Sequence, residues 1–431
     1  MKLTSTAARP INGEAAIPGD KSCSHRALIL GALAEGETRI SGLLESDDVL
    51  ATARAVEALG AKVKRNGPGD WTVQGGPWHS PANAIDCGNS GTAGRLLIGA
   101  VAGMPGVRAI FHGDASLSAR PMQRLIAPLT RMGARFEGEN RLPLTVEGAR
   151  LGGIDLRNVP ASAQVKSAIL LAGLGTAAPV AVMEPVTSRD HSEILLAQFG
   201  CEIELFDSPA GRTVKLGGQR KLKGRPIAIG ADPSSAAFPL VASSIVPGSD
   251  VLVRNLLVNP LRTGLYETLE EMGAEIELSN EQVRHGEIVA DVRVRHSALR
   301  PCQVSADRIP AMIDEIPALA VACAFADGEN LIEGLGELRV KESDRLGAIV
   351  AGLTACGVSA AVDGDALRIF GRGSVRGGAS VATEGDHRIA MAFLVLGLGS
   401  EQPVEVDEAE MIATSFPGFV DVMRSLGADI K

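Results

Sequence analysis

The stretch "ELRVKESDR" sets Arg339, Lys341, Glu342, Asp344 and Arg345 within seven residues. A carboxylate beside a lysine, with an arginine three residues on, suits anion binding combined with proton transfer. The competing reading is a solvated face with local ion pairs, which contribute little to stability. Similar groups recur elsewhere. "PGDKSCSHR" offers Lys21, Ser22, Ser24, His25 and Arg26, and "CGNSGTAGR" offers Gly88, Gly91 and Arg95. "VPASAQVKSA" carries Ser162, Ala163, Gln164 and Lys166. "PAMIDEIPALA" carries Asp314 and Glu315, and "EGDHRIAMA" carries Asp386, His387 and Arg388. Ser is a helix-capping residue, and the free N–H groups of a helix start attract anions. Gly allows close approach to the backbone. Arg388 at a helix start opposes the helix dipole, and binding an anion would supply the reason for it. Capped helices and ordinary turns are the bland alternative for each group taken singly.

Each of these groups stands at the head of a segment that must position it. Five apolar, small-residue segments begin there, and a sixth, "DPSSAAFPLVASSIV", has the same character. Helices apolar on nearly every side are expected to be buried. After each comes a short strand pattern, such as "ETRISGL" or "VRAIFHG", and then an amphipathic helix closed by a glycine. Those glycines are Gly60, Gly133, Gly200, Gly273, Gly357 and Gly427, separated by 73, 67, 73, 84 and 70 residues. Gly is favoured where a helix ends in a left-handed turn, and a near-constant interval predicts one unit used six times. Within "GDASLSARPMQR", which contains Arg120 and Arg124, Pro121 is expected to start an amphipathic helix.

At 431 residues two domains are expected, hence three units in each, with the junction near Gly230–Pro233. Lys21, Arg95, Arg120 and Arg189 belong to the first half, and Lys341, Arg345 and Arg388 to the second. Against a net charge of −9, these cations suggest a focused site for small anions between two domains. The acidic balance and 3% aromatic content argue against nucleic-acid binding. No signal peptide is visible, and the longest charge-free apolar run, Ala168–Met183, is too short to span a bilayer. Six cysteines without a CxxC pair read as reduced thiols in a cytoplasmic protein. Seven histidines without HxxxH or HExxH spacing argue against a metal. "GLGTAA" at Gly173–Ala178 mimics a dinucleotide fingerprint but follows a helix pattern rather than a strand.

The motifs "GDKSCSHR", "GNSGTAGR", "GDASLSARPM", "SAQVKSAILLAG", "SRDHSE", "MIDEIPALAVA", "ELRVKESDRL", "DHRIAMAF" and "ATSFPGF" follow one another along the chain. In that order the chain resembles the 5-enolpyruvylshikimate-3-phosphate synthase family over essentially its full length. The resemblance implies an α/β fold, the enolpyruvyl transferase-like inside-out barrel. That fold has two domains and six βαβαββ repeats, three per domain, with buried central helices. The expected domains are residues 19–231 and a discontinuous one of 1–18 plus 232–431, with the active site in the cleft between them.

The family transfers the enolpyruvyl group of phosphoenolpyruvate to the 5-hydroxyl of shikimate 3-phosphate, releasing phosphate. It needs no metal or organic cofactor and is the target of glyphosate. By resemblance, Lys21, Ser22, Arg26, Ser162, Ala163, Gln164, Arg189, Asp314 and Lys341 bind shikimate 3-phosphate. Lys21, Gly91, Arg120, Gln164, Arg345 and Arg388 correspond to the phosphoenolpyruvate site. Asp314, Glu342 and Lys21 are the expected catalytic residues, with Glu342 as acid at C3 and Asp314 as base at the hydroxyl. The partners implied are these two small substrates, with no nucleic acid and no membrane, for a protein expected to be a monomer. The related family acting on UDP-N-acetylglucosamine carries a Cys just before its "ARP" segment. Here that place holds "GDASLS", with Asp114 and Ala115 and no Cys.

Overall fold

The computed structural model describes residues 1–7, 9–157 and 161–431. Val159 and Pro160, at the head of the "VPASAQVKSA" segment, lie outside them. The chain forms two compact units. One comprises residues 19–229 and 284–287, the other 1–18, 230–283 and 288–431. The expected junction after residue 231 thus falls two residues past the observed one, and Arg284–Glu287 group with the first of these units.

Each unit is built around three of the small-residue segments, which are helices. In the 19–229 unit they are α1 (Lys21–Leu33), α2 (Gly91–Ala102) and α3 (Ala163–Gly173). In the other they are α4 (Pro233–Ile245), α5 (Ile316–Phe325) and α6 (His387–Gly399). All 13 residues of α4 are buried. Small residues permit this crowding. A Cβ on Gly99 of α2 would lie 2.4 Å from the Ala168 carbonyl oxygen of α3, and one on Gly103 equally close to that of Ala172. Gly99 and Gly103 are one helical turn apart, as are Ala168 and Ala172, so the two backbones approach along matching faces.

The first N–H groups of a helix have no intrahelical partner, and five of the six central helices meet them with a capping side chain, α5 with its Glu315 cap position being the exception. Asp20 accepts the Cys23 N–H of α1 at 2.7 Å, and Ser90 accepts that of Ala93 in α2 at 3.1 Å. Ser162 caps α3, Asp232 caps α4 and Asp386 caps α6. At α1 the cap is Asp20, one residue before the helix, rather than either nearby serine. The amphipathic helices close as their spacing predicts. The six glycines have φ of 120°, 110°, 95°, 91°, 87° and 104° in chain order, a region where a side chain is strained. Pro121 does not start its helix: that helix is Gln123–Met132, with Met122 at its cap. Gly173–Ala178 closes α3 rather than opening a helix.

Among the described residues the strands form six four-stranded sheets, one per repeat. Ile85–Asp86 runs parallel to Arg108–His112, which pairs antiparallel with Leu144–Glu147, and that strand with Arg135–Glu137. A parallel pair needs a long crossover, and α2 supplies it, giving the βαβαββ order. The 19–229 unit closes on itself: Ile227–Ala228 provides the parallel strand beside Glu37–Ser41 of its first repeat. In the other unit the chain's start completes two repeats. Asn12–Glu14 lies parallel to Asp250–Leu257, and Leu3–Thr6 pairs antiparallel with Val404–Val406 and Asp429–Ile430.

All six cysteines are buried thiols. Burial pushes Cys87 up to about 12 and Cys201 and Cys356 up to about 11, so they are protonated packing residues. No helix among the described residues is long and apolar enough to cross a membrane.

The close approach of α2 and α3 can be tested with two glycines. Gly99→Ala overpacks a backbone contact and is expected to cost about 1–3 kcal/mol. Gly94→Ala, whose Cβ would meet only Cys87 Sγ at 3.7 Å, is expected to be neutral or to gain up to about 1 kcal/mol of helix propensity. Urea unfolding reads both, and equal losses would contradict the close approach.

Candidate active site

The polar residues of the 19–229 unit gather at the heads of α1, α2 and α3. Lys21 is the first residue of α1 and is ion-paired with Asp48 of the helix Asp47–Ala58. Arg26, one turn on, is buried and donates to Ser192 Oγ at 2.7 Å, Ser167 Oγ at 2.9 Å and the Ser22 carbonyl at 3.0 Å. Burial pulls its guanidinium below the usual range, and the charge of Arg189 adds to this, while Asp20 and Glu193 oppose it. His25 lies between Thr52 Oγ1 at 2.7 Å and Ser90 Oγ at 3.3 Å. Burial first, then the charges of Lys21 and Arg26, hold it well below the usual imidazole range. It is therefore a neutral tie between α1, the Asp47–Ala58 helix and the cap of α2.

Around α2 and α3 the donors point at one another's neighbourhood. Arg95 Nη1 donates to Gln164 Oε1 at 2.9 Å, and Gln164 Nε2 donates to Thr92 Oγ1 at 2.9 Å. Arg120 follows the short helix Ala115–Ala119 and donates to Asn89 Oδ1 at 2.9 Å and Ser116 Oγ at 3.2 Å. A Cβ on Gly91 would stand 2.6 Å from Arg95 Nη1 and 3.2 Å from Arg120 Nη1. The missing side chain at Gly91 thus lets two guanidinium groups stand against a helix N-terminus, a setting suited to a small anion.

The other unit has a hub of a different kind. Arg345, 0% exposed, begins the helix Arg345–Ala355. It donates through Nε to Asp386 Oδ2 at 2.7 Å, and its Nη2 lies 2.5 Å from Glu342 Oε2. Its Nη1 reaches Asp314 Oδ1 at 3.4 Å. Burial alone would lower the pKa of this guanidinium, but Asp386, Glu342 and Asp314 more than offset it and raise it. Lys341 Nζ stands 3.6 Å from Asp314 Oδ1, and Arg388 Nη1 donates to the Asp314 carbonyl at 2.9 Å. One charged side chain therefore orients two carboxylates that differ in neighbours, one of them beside a lysine. Such a pair can divide proton donation and proton acceptance.

Within one unit the structure brings Gly91, Arg120 and Gln164 around Arg95, and Ser22 and Arg26 near Arg189. Within the other it gathers Asp314, Lys341, Glu342, Arg345 and Arg388. Ser162 and Ala163 are the cap and first residue of α3. Sequence reasoning did not single out Asp48, since paired acids at a helix start read as a dipole effect. It named Asp386 without seeing that this residue anchors Arg345. Among the described residues, Asp20, Cys23 and His191 bring possible metal-ligand atoms within 4.8 Å of one another. They stand beside Arg26 and Arg189, whose charge disfavours a cation.

The EPSP synthase (3-phosphoshikimate 1-carboxyvinyltransferase) family model matches residues 5–423. A protein of Phenylobacterium zucineum named 3-phosphoshikimate 1-carboxyvinyltransferase is 52% identical over 99% of this chain and 95% of its own. One of Methylorubrum extorquens with the same name is 53% identical over 100% and 97%. The solved structure of EPSP synthase from Acinetobacter baumannii superimposes with a TM-score of 0.87 at 38% identity, covering 100% of this chain and 99% of that one. The enolpyruvyl transferase NikO of Streptomyces tendae, 19% identical with a TM-score of 0.78 over 100% and 98%, shares the fold.

Asp386→Asn separates the two tasks of that residue, because Asn caps a helix about as well as Asp. Removing the charge leaves Arg345 short of a buried partner, and a cost of roughly 3–5 kcal/mol is expected. Thermal unfolding of the variant reads it, and an unchanged midpoint would remove Asp386 as the anchor of Arg345.

Proposed function

We infer this chain's chemistry from its kinship: it belongs to the EPSP synthase (3-phosphoshikimate 1-carboxyvinyltransferase) family. It transfers the enolpyruvyl group of phosphoenolpyruvate to the 5-hydroxyl of shikimate 3-phosphate and releases phosphate, on the shikimate pathway to chorismate and the aromatic amino acids. The roles of individual residues are our proposal. The observation that carries it is the single guanidinium of Arg345 touching both Asp314 and Glu342, with Lys341 3.6 Å from Asp314.

C2 of phosphoenolpyruvate becomes electrophilic only when C3 is protonated, so addition needs an acid at C3 and a base at the attacking hydroxyl. Glu342 gives the proton to C3, and Asp314 takes the proton of the 5-hydroxyl as oxygen bonds to C2. In the elimination that follows, Glu342 takes a proton back from C3, the double bond reforms and phosphate leaves. Arg345 keeps the two carboxylates apart in direction and fixed in place.

Both substrates are multiply anionic and repel one another, so cationic groups must hold them in a reactive geometry. Shikimate 3-phosphate takes Lys21, Ser22, Arg26, Ser162, Ala163, Gln164 and Arg189, with Asp314 and Lys341 on its ring hydroxyls. Phosphoenolpyruvate takes Lys21, Gly91, Arg120, Gln164, Arg345 and Arg388. Arg95 supports that set by its bond to Gln164. The chain works as a monomer in the cytoplasm, a compartment that suits six buried thiols.

Four measurements test the assignment. Purified protein is expected to release phosphate from phosphoenolpyruvate with shikimate 3-phosphate and not with UDP-N-acetylglucosamine. Asp314→Asn and Glu342→Gln are expected to lower kcat by about 10²–10⁴ while both KM values stay within a few-fold. Only Glu342→Gln should also abolish solvent deuterium exchange at C3 of phosphoenolpyruvate, and exchange at the normal rate in that variant would remove Glu342 as the acid. Gly91→Ala intrudes on Arg95 and Arg120. It is expected to raise the inhibition constant for glyphosate, the longer molecule, by a larger factor than the KM for phosphoenolpyruvate. An unchanged ratio in a folded variant would take Gly91 out of the donor pocket.

A further inference from the structure

One buried charge cluster takes no part in the chemistry above. Lys166, one turn into α3, is 1% exposed. Its ammonium lies 2.9 Å from Glu184 Oε2 and 2.7 Å from Glu193 Oε1, and it donates to the Ser188 carbonyl at 3.3 Å. Glu184 ends the strand Val180–Glu184, and Glu193 lies in the helix His191–Gln198. Burial alone would lower the pKa of Lys166, yet the two carboxylates raise it, so it is charged. An isolated ammonium this deep would be expensive, and the two acids make it tenable.

The bonds that leave this cluster run to the substrate segments. Glu184 accepts the Ser188 hydroxyl at 2.7 Å through Oε1 and the Ser188 backbone N–H at 3.1 Å through Oε2. It also accepts the Ser162 backbone N–H at 3.3 Å. Ser162 is the cap of α3, and Ser188 precedes Arg189. One carboxylate thus bonds to the two segments that carry Ser162 and Arg189. Glu193 bears on a third contact through its helix, His191–Gln198, whose Ser192 accepts from Arg26 Nε at 2.7 Å.

We propose that Lys166, Glu184 and Glu193 are positioning residues that set the spacing of Ser162, Arg189 and Arg26, and so fix affinity for the phosphorylated sugar acid without acting on phosphoenolpyruvate. The proposal rests on the assignment of Ser162, Arg189 and Arg26 to shikimate 3-phosphate. The cluster touches neither reacting atoms nor the Arg345 hub. Gln164, which serves both substrates, is held by Arg95 and Thr92 instead, so the effect falls on one substrate's KM and leaves kcat alone. Lys166 is the centre, since without its charge two buried carboxylates face each other and the Glu184 side chain turns away from Ser162 and Ser188.

Steady-state kinetics of the full chain test this, with circular dichroism to confirm folding. Glu184→Gln, nearly isosteric, and Lys166→Met are expected to raise the KM for shikimate 3-phosphate at least tenfold. Both should leave kcat and the KM for phosphoenolpyruvate within twofold. Lys166→Arg, which keeps the charge, is expected to stay within about threefold of the parent protein. If Lys166→Met does not fold, Glu184→Gln and Glu193→Gln carry the test. An unchanged KM for shikimate 3-phosphate in folded Glu184→Gln, or equal rises for both substrates, would overturn the proposal. Ser162→Ala and Arg189→Ala distinguish the underlying assignment. If these leave the KM for shikimate 3-phosphate unchanged, the assignment itself fails. If they raise it while Glu184→Gln does not, only the positioning role fails.

Discussion

A helix surrounded by other helices and sheets still begins with N–H groups that no intrahelical carbonyl can accept. In this protein that constraint applies to six central helices, and it concentrates polarity at their starts. Asp20, Ser90, Ser162, Asp232 and Asp386 each meet it with a side-chain oxygen. The residues that follow inherit an N-terminal field in a partly buried setting. Lys21, Gly91, Ala163 and Gln164 stand within the first turn of their helices, and Arg388 within that of α6. The feature that makes the helices foldable also supplies the positions where the two anionic substrates are proposed to bind.

Burial raises the cost of an unpaired charge and strengthens a paired one. Both units answer this with buried cations that each serve several carboxylates. Arg345 holds Asp386, Glu342 and Asp314, and Lys166 holds Glu184 and Glu193. The two differ in what they orient. Arg345 touches the two carboxylates proposed for proton transfer. Lys166 bonds the Ser188 carbonyl itself and reaches the Ser162 backbone through Glu184. Arginine suits the first place because its planar fork can engage three groups at defined angles. Lysine suits the second, where a compact charge lies between two acids.

The repeat explains why so few residue types are enough. Each βαβαββ unit needs a long crossover, filled by a buried helix, and a hairpin that follows the amphipathic helix. Small residues let the helices approach closely, as Gly99 and Gly103 do against Ala168 and Ala172. The chain's first strands complete the repeats at Asp250–Leu257 and Val404–Val406, so no repeat is left with an open place. This closure is a long-range event: Leu3 meets Val406.

The sequence alone determined whatever depends on local spacing. The six glycines predicted six helix ends, and all six have the left-handed backbone. Apolarity on every side predicted which helices are buried, and the motif order carried the family and its reaction. Local chemistry did not decide the α1 cap, where Asp20 takes the role open to the serines, nor the start of the Gln123–Met132 helix past Pro121. Tertiary structure alone decided the pairings: Lys21 with Asp48, Arg345 with Asp386, Lys166 with Glu184 and Glu193. A charged residue in a sequence shows its sign but not its partner. Its worth depends on burial and distance, which exist only once segments far apart in the chain have packed together.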